Sequence, residues 1–323
     1  MKKITLLFAL LLTLTACSNL TATNLMAGIK RNDITPTVID GTHENSVDKV
    51  SETAGFSLDI FKKIYGNENI LISPLSIVSA LAMTANGAEN ETLSQMEEFF
   101  GSEIDGLNEF LYAYRLFLPT ADKYKVSLAN SIWFRNKESL TIEKEFLQTN
   151  KDYYDAEIYK ATFDDSTKND INAWVNKKTN GQIKKLLEEK PPEDSVMYLI
   201  NALSFDAEWQ SIYKNTSVRE GEFTARDGSK KTVDFMYSTE YGYIELPNAI
   251  GFSKPYADYR YFFVALLPDQ GLEVSDFINS LDGKTLINAV KNQRDEMVHA
   301  SMPKFTFEYS KELSEALKEL GIK

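Results

Sequence analysis

The chain has 323 residues, of which 43% are hydrophobic, 12% aromatic and 25% charged, the balance of a folded protein with a substantial core rather than a disordered one. A formal charge of −12, two units more negative without Lys2 and Lys3, excludes nucleic acid as a partner, because no basic stripe is present to neutralise phosphates. At this length one large domain or two small ones are both open.

Lys2 and Lys3 precede the apolar run of residues 4–14, and Leu14-Thr15-Ala16-Cys17 closes it, the order of an export signal. The tetrapeptide resembles a bacterial lipobox. That implies loss of residues 1–16, a lipid on Cys17, and attachment to a membrane of the cell envelope facing the extracellular space; a plain secretory signal is the alternative. Cys17 is the only cysteine, so no disulfide can staple the mature chain. Residues 17–48 are polar and broken by Gly28, Pro36 and Gly41, which predicts a tether, with the folded domain over residues 49–323.

Phe56, Ile60 and Ile64 recur every fourth residue and predict a helix that stops at Gly66. Ile70-Leu71-Ile72 has a strand's rhythm. Ser73-Pro74 then opens a helix with Leu75, Val78, Leu81, Ala82 and Ala85 on one face, serine capping and proline needing no donor at the first position. Ser73, Ser76 and Asn86 interrupt this buried pattern, and each needs a hydrogen-bond partner. Residues 90–100 read as a short helix carrying Leu93, Met96 and Phe100.

Residues 126–134, VSLANSIWF, predict a strand buried on both faces. Residues 167–179 predict a helix carrying Ile171, Trp174 and Val175, stopped by Asn180-Gly181. Residues 195–205 predict a second buried strand, interrupted only by Asn201, and residues 261–268 and 298–307 predict two more. A last helix carries Leu313, Ala316, Leu317 and Leu320, with Gly321-Ile322 as its hydrophobic cap.

Enzyme chemistry finds little raw material. There are two histidines, His43 in the tether and His299 in a strand, too few for a histidine triad or metal cage. Gly251-Phe252-Ser253-Lys254-Pro255 begins like a nucleophile elbow but has proline where the second glycine belongs, and it reads as a turn. Gly283-Lys284-Thr285 ends like a phosphate loop, yet Ile278 holds the first glycine position. Asp164-Asp165 and Glu188-Glu189 are adjacent pairs that do not converge as a dyad. The expectation is no catalytic residue, no metal and no cofactor.

Five segments in one order resemble the serpins: residues 69–88; residues 128–134; residues 171–176 with 179–183; residues 199–205 with Trp209; and Met302-Pro303-Lys304-Phe305 with Leu320-Gly321-Ile322. The resemblance implies an α+β fold with a large, mostly antiparallel central sheet that opens to accept a strand, crossed by a helix matching residues 167–179. It implies that Ser73, Pro74, Ser76 and Asn201 form the sheet-opening region, and that Phe205 and Trp209 mark where insertion begins. Between those two aromatics the family usually has lysine and glycine, where this chain has Asp206, Ala207 and Glu208.

The implied activity is suicide-substrate inhibition of serine or cysteine proteases by a monomer, with a non-inhibitory surface-binding role as the alternative and an unrecognised hydrolase as the remote one. Family members continue past the last helix into a further strand, a hinge and the bait loop. The reactive bond is therefore expected beyond Lys323, and the chain as it stands is expected to be poorly soluble and not to inhibit.

Overall fold

The computed structural model describes residues 20–35, 44–66, 68–307, 309, 311 and 313–320. The lipidation expected at Cys17 and the cap expected at Gly321-Ile322 lie outside the described residues. Two sheets organise the rest. The first contains β1 (Thr23–Asn24), β2 (Thr120–Ala121), β3 (Tyr124–Arg135), β4 (Glu157–Ala161) and β5 (Met197–Ala207). Its order is β1-β4-β3-β2, with β5 pairing the opposite side of β3. Strands β3 and β5 run antiparallel in unbroken register from Tyr124↔Ala207 to Phe134↔Met197, whereas β3 and β4 are parallel.

The alternation of β3 sorts its side chains between two helical layers. Ile132 and Phe134 join Val78, Ala82, Met83, Leu107, Leu111 and Ile158 in a core beneath α2 (Pro74–Ala85), α4 (Ile104–Leu116) and α5 (Lys144–Tyr154). Trp133 on the other face joins Tyr159, Ile171, Trp174, Val175, Ile200 and Ala202 beneath α6 (Asp165–Lys178). Helix α6 is capped by Asp164, which accepts from the amides of Ser166 and Thr167, and it stops where Asn180 and Gly181 turn left-handed at φ 51° and 81°.

The second sheet runs β10-β7-β8-β9, with β6 also pairing β7. Its strands are β6 (Val218–Thr224), β7 (Lys230–Leu246), β8 (Ala249–Pro255), β9 (Phe262–Pro268) and β10 (Arg294–Pro303). Helices α1 (Glu44–Ile64), α3 (Asn90–Phe100), α7 (Val274–Ser280), α8 (Gly283–Lys291) and α9 (Ser314–Glu319), with a 3-10 turn at Asn215–Ser217, complete the described elements. None of the described helices is long and apolar enough to cross a membrane.

Four expectations need correction. Residues 20–35, read as part of a tether, lie on the domain: β1 extends the first sheet beside β4, and Met26 is buried. Asp170 accepts from Thr21 N, Thr21 Oγ1 and Ala22 N at 2.7–2.9 Å, and Asp152 accepts from Asn32 N and Nδ2 at 2.8 Å. Besides these carboxylate bonds, Leu25, Met26 and Ile29 pack on one core, Leu20 and Ala22 on the other, and Leu25 N donates to Ile158 O. Helix α1 also starts at Glu44, ahead of the expected domain boundary.

Ile70-Leu71-Ile72 forms no strand. A strand needs a ladder partner, none lies beside it among the described residues, and Leu71 is 63% exposed. The supposed turn at residues 251–255 is the body of β8, with Gly251, Ser253 and Lys254 buried. Finally, β10 begins earlier than expected and ends at Pro303, leaving Phe305 exposed outside the sheet.

Candidate functional site: the free edge of β5

Strand β5 pairs only with β3, so among the described residues its other edge carries no neighbour. Along that edge the backbone donors and acceptors of β5 have no ladder partner among the described residues. The polar residues singled out in the sequence gather near its middle and its end.

At the middle, Asn201 Nδ2 donates to Asn130 Oδ1 across the β3–β5 ladder at 2.6 Å, and Asn130 Nδ2 donates to the Tyr154 carbonyl at 3.0 Å. Tyr154 hydroxyl donates to Asn108 Oδ1 at 2.5 Å, and Asn108 exchanges two amide bonds with Asn86. Burial pushes the Tyr154 hydroxyl far above its ordinary value, so it stays protonated and keeps its proton for Asn108. Asn201 Oδ1 is buried and has no partner among the described residues. Ser73 caps α2 from an extended backbone, accepting from Ser76 N at 3.3 Å and from Ser76 Oγ at 2.8 Å, with Pro74 at the first helical position.

The geometry thus divides the predicted sheet-opening residues. Helix α2 packs behind β5, but Ser73 and Ser76 bond each other and Asn201 bonds a separate amide chain. Sequence reasoning asked for a partner for Asn86 and found none; Asn108 supplies it from α4. Tyr154 and Asn108 were missed altogether, because nothing local distinguishes them from ordinary helix residues. An asparagine at position 130 with strand residues on both sides was the one available signal.

At the end of β5, Phe205 meets Tyr256 edge-on at 4.9 Å and Tyr261 at 5.6 Å. Trp209 stacks on Tyr256 at 4.5 Å and 10°, and the same two residues form a β-bridge that joins the two sheets. Backbone bonds from Gln210 N to Pro255 O and from Ala257 N to Glu208 O flank the bridge. The residues that replace the family's lysine and glycine remain in the ladder, Asp206 opposite Lys125 and Ala207 opposite Tyr124.

Across the other face, α6 is pinned by Glu157 of β4. Its carboxylate accepts from Trp174 Nε1 at 2.7 Å, Lys178 Nζ at 2.5 Å and Tyr159 hydroxyl at 2.6 Å, while Trp133 stacks on Tyr159 at 4.3 Å. Burial raises the Glu157 carboxyl, but the bonds from Lys178, Tyr159 and Trp174 outweigh it and hold the group below the ordinary carboxylate value. The enzyme-like motifs dissolve in the fold. Asp282 caps α8 through Thr285 N, Asp165 and Glu188 pair with Lys168 and Lys185, and His299 Nδ1 lies 3.4 Å from Thr239 Oγ1. No described group of His, Cys, Asp and Glu could hold a metal ion.

The family model for serpins (serine protease inhibitors) matches residues 51–323. The chain belongs to the serpin family. Among solved structures, the native state of the thermophilic serpin tengpin superposes with a TM-score of 0.88 at 48% identity, covering 94% of this chain and 77% of that one. The latent state of tengpin gives 0.80 at 47% identity, covering 91% and 78%.

Curated relatives are more distant. An uncharacterized serpin-like protein of Thermococcus kodakarensis is 29% identical over 85% of this chain and 65% of its own length. The leukocyte elastase inhibitor of Xenopus tropicalis is 27% identical over 83% of this chain and 75% of its own. The chain therefore spans about two thirds of the length of the Thermococcus relative.

Proposed function

We propose that this serpin is a suicide-substrate inhibitor of serine or cysteine endopeptidases that works by taking a cleaved loop into the first sheet beside β5. The observation that carries the reading is the serpin family match over residues 51–323 on a fold built around the β3–β5 ladder, at whose middle Asn201 Oδ1 is buried and has no partner among the described residues. Serpin loop insertion is a known instance of strand addition and of released strain. A protease attacks the loop, remains attached as an acyl intermediate, and is carried and distorted as the strand enters.

In this reading Ser73, Pro74, Ser76 and Asn201 open the sheet, because hydrogen bonds among small polar groups can be remade, whereas close-packed aliphatics resist sliding. Phe205 and Trp209 mark the end where insertion begins, and α6 yields as the sheet parts. The greater likeness to native than to latent tengpin supports a sheet still awaiting its strand. The reactive bond is proposed to lie beyond Lys323, and the inhibitor to act as a monomer held at the cell envelope by a lipid on Cys17.

The test mixes the full product of the gene with chymotrypsin-, trypsin-, subtilisin- and papain-type proteases. A one-to-one complex that survives detergent and boiling is expected with at least one of them. Cleavage of the protein by every protease without such a complex overturns the reading and leaves a surface-binding serpin. Incorporation of a labelled fatty acid, lost in Cys17→Ala, tests the anchor.

A further inference from the structure

Lys254 is almost completely enclosed, its side chain 1% exposed, on a strand whose neighbours are apolar or small. Its Nζ lies 2.6 Å from Glu240 Oε1, and the Glu240 side chain is 6% exposed. Two aromatic rings complete the enclosure: Nζ is 4.7 Å from the centroid of Tyr213 and 5.6 Å from that of Trp209. Trp209 also meets Phe263 edge-on at 5.7 Å and Tyr213 at 6.4 Å, besides its stack on Tyr256. The ion pair therefore sits against the ring that bridges the two sheets.

Burying an ammonium and a carboxylate costs more in lost hydration than their attraction reliably returns, so such a pair is weak support for stability alone. Its usual merit is to fix one arrangement. Here the ammonium has one carboxylate and two ring faces in place of water, so displacing Trp209 strips it of part of that replacement. Trp209 and the ion pair must then move together, as one unit with two states.

We propose that the Lys254–Glu240 ion pair is a latch that positions Trp209 across the end of β5 and limits how fast a strand enters beside it. This rests on the loop-insertion reading above. Lys254 and Glu240 are positioning residues: they act through Trp209 and touch no reacting atom.

The test uses the full product of the gene, the doubly neutral variant Glu240→Gln/Lys254→Met, which leaves no buried charge unpaired, and Lys254→Arg, which keeps the charge over the rings. Acrylamide quenching of tryptophan emission reports Trp209, because Trp133 and Trp174 are buried in the core. Conversion to a urea-resistant form on warming reports insertion. The double variant is expected to be quenched about twofold more strongly and to convert about tenfold faster, with Lys254→Arg close to wild type.

A lower urea midpoint with wild-type quenching and conversion rate would mean a merely structural pair and overturn the latch. Stronger quenching with an unchanged conversion rate overturns it too, since Trp209 would then move without admitting a strand. If the wild type never converts, even after cleavage by a protease, the loop-insertion reading fails and the rate-limiting role fails with it. Quenching still decides, separately, whether the ion pair positions Trp209.

Discussion

The middle and the end of β5 are held by different physics. At the middle, Asn201, Asn130, Tyr154, Asn108 and Asn86 form a chain of directional bonds between neutral groups, with one acceptor to spare. At the end, Phe205, Trp209, Tyr256 and Tyr261 pack on one another, and Trp209 with Tyr213 covers a buried ion pair. In the proposed insertion, a neutral bond lost on opening would be replaced by an equivalent one to the incoming strand, so the middle would trade partners at little net cost. The end has no such exchange, because rings and charges must separate before anything replaces them. Under the proposed insertion, the contrast assigns to the middle whether a strand fits and to the end when it is admitted.

The sharpest way to break this contrast is to remove one charge at the end. Lys254→Met leaves Glu240 buried without a partner, and a loss of about 3–5 kcal/mol is expected in urea unfolding. Adding Glu240→Gln should recover most of it. At the middle, Asn130→Ala strands both Asn201 Nδ2 and the Tyr154 carbonyl, and a smaller loss of about 2 kcal/mol is expected. Equal losses at the two places would abolish the distinction.

The same contrast explains what the sequence made legible. Strands β3 and β5 and helices α2, α3 and α6 were readable because their apolar periods are long and their caps are local: Ser73, Pro74 and the Asn180-Gly181 stop act within a few residues of themselves. Asn201 stood out as a polar residue in an apolar strand. Lys254 did not, since a lysine beside a proline reads as surface until Glu240, fourteen residues away, and the rings of Trp209 and Tyr213 are brought over it. The docking of residues 20–35 escaped for the same reason: Asp170 and Asp152 receive the segment from more than a hundred positions along the chain. Ile70-Leu71-Ile72 failed in the opposite sense, because apolar rhythm predicts burial, whereas a strand also requires a ladder.

Acidity probes α6, the helix proposed to yield. The Glu157 carboxyl is depressed in the folded state, so its contribution is fully present above the unfolded carboxylate value, about 4.3, and is lost as pH falls through the lower folded value. Protonation releases Lys178 and weakens the hold on α6. Glu157→Gln should therefore flatten the acid limb of the stability curve below the ordinary carboxylate value, and the stability of wild type and variant should converge at the acid end. Hydrogen exchange of the α6 amides should rise over the same window in wild type. An acid limb unchanged by the substitution would mean that other carboxylates dominate.

The smallest effect is expected at Asn201 itself. Asn201→Ala removes one bond of 2.6 Å and leaves Asn130 Oδ1 without that donor, but it also removes Asn201 Oδ1, an acceptor buried with no partner among the described residues, so relief of that penalty offsets part of the loss. The net change should stay below about 1 kcal/mol in urea, less than at Asn130, although the two residues share the same bond. A cycle of Asn130→Ala, Asn201→Ala and the double variant isolates their coupling, about 1 kcal/mol if only that bond joins them. Asn201 would then be a site whose value to the resting fold is slight. A loss at Asn201 as large as that at Asn130 would mean that its free oxygen is satisfied by water in the resting protein, and the middle of β5 would hold no spare acceptor for an arriving strand.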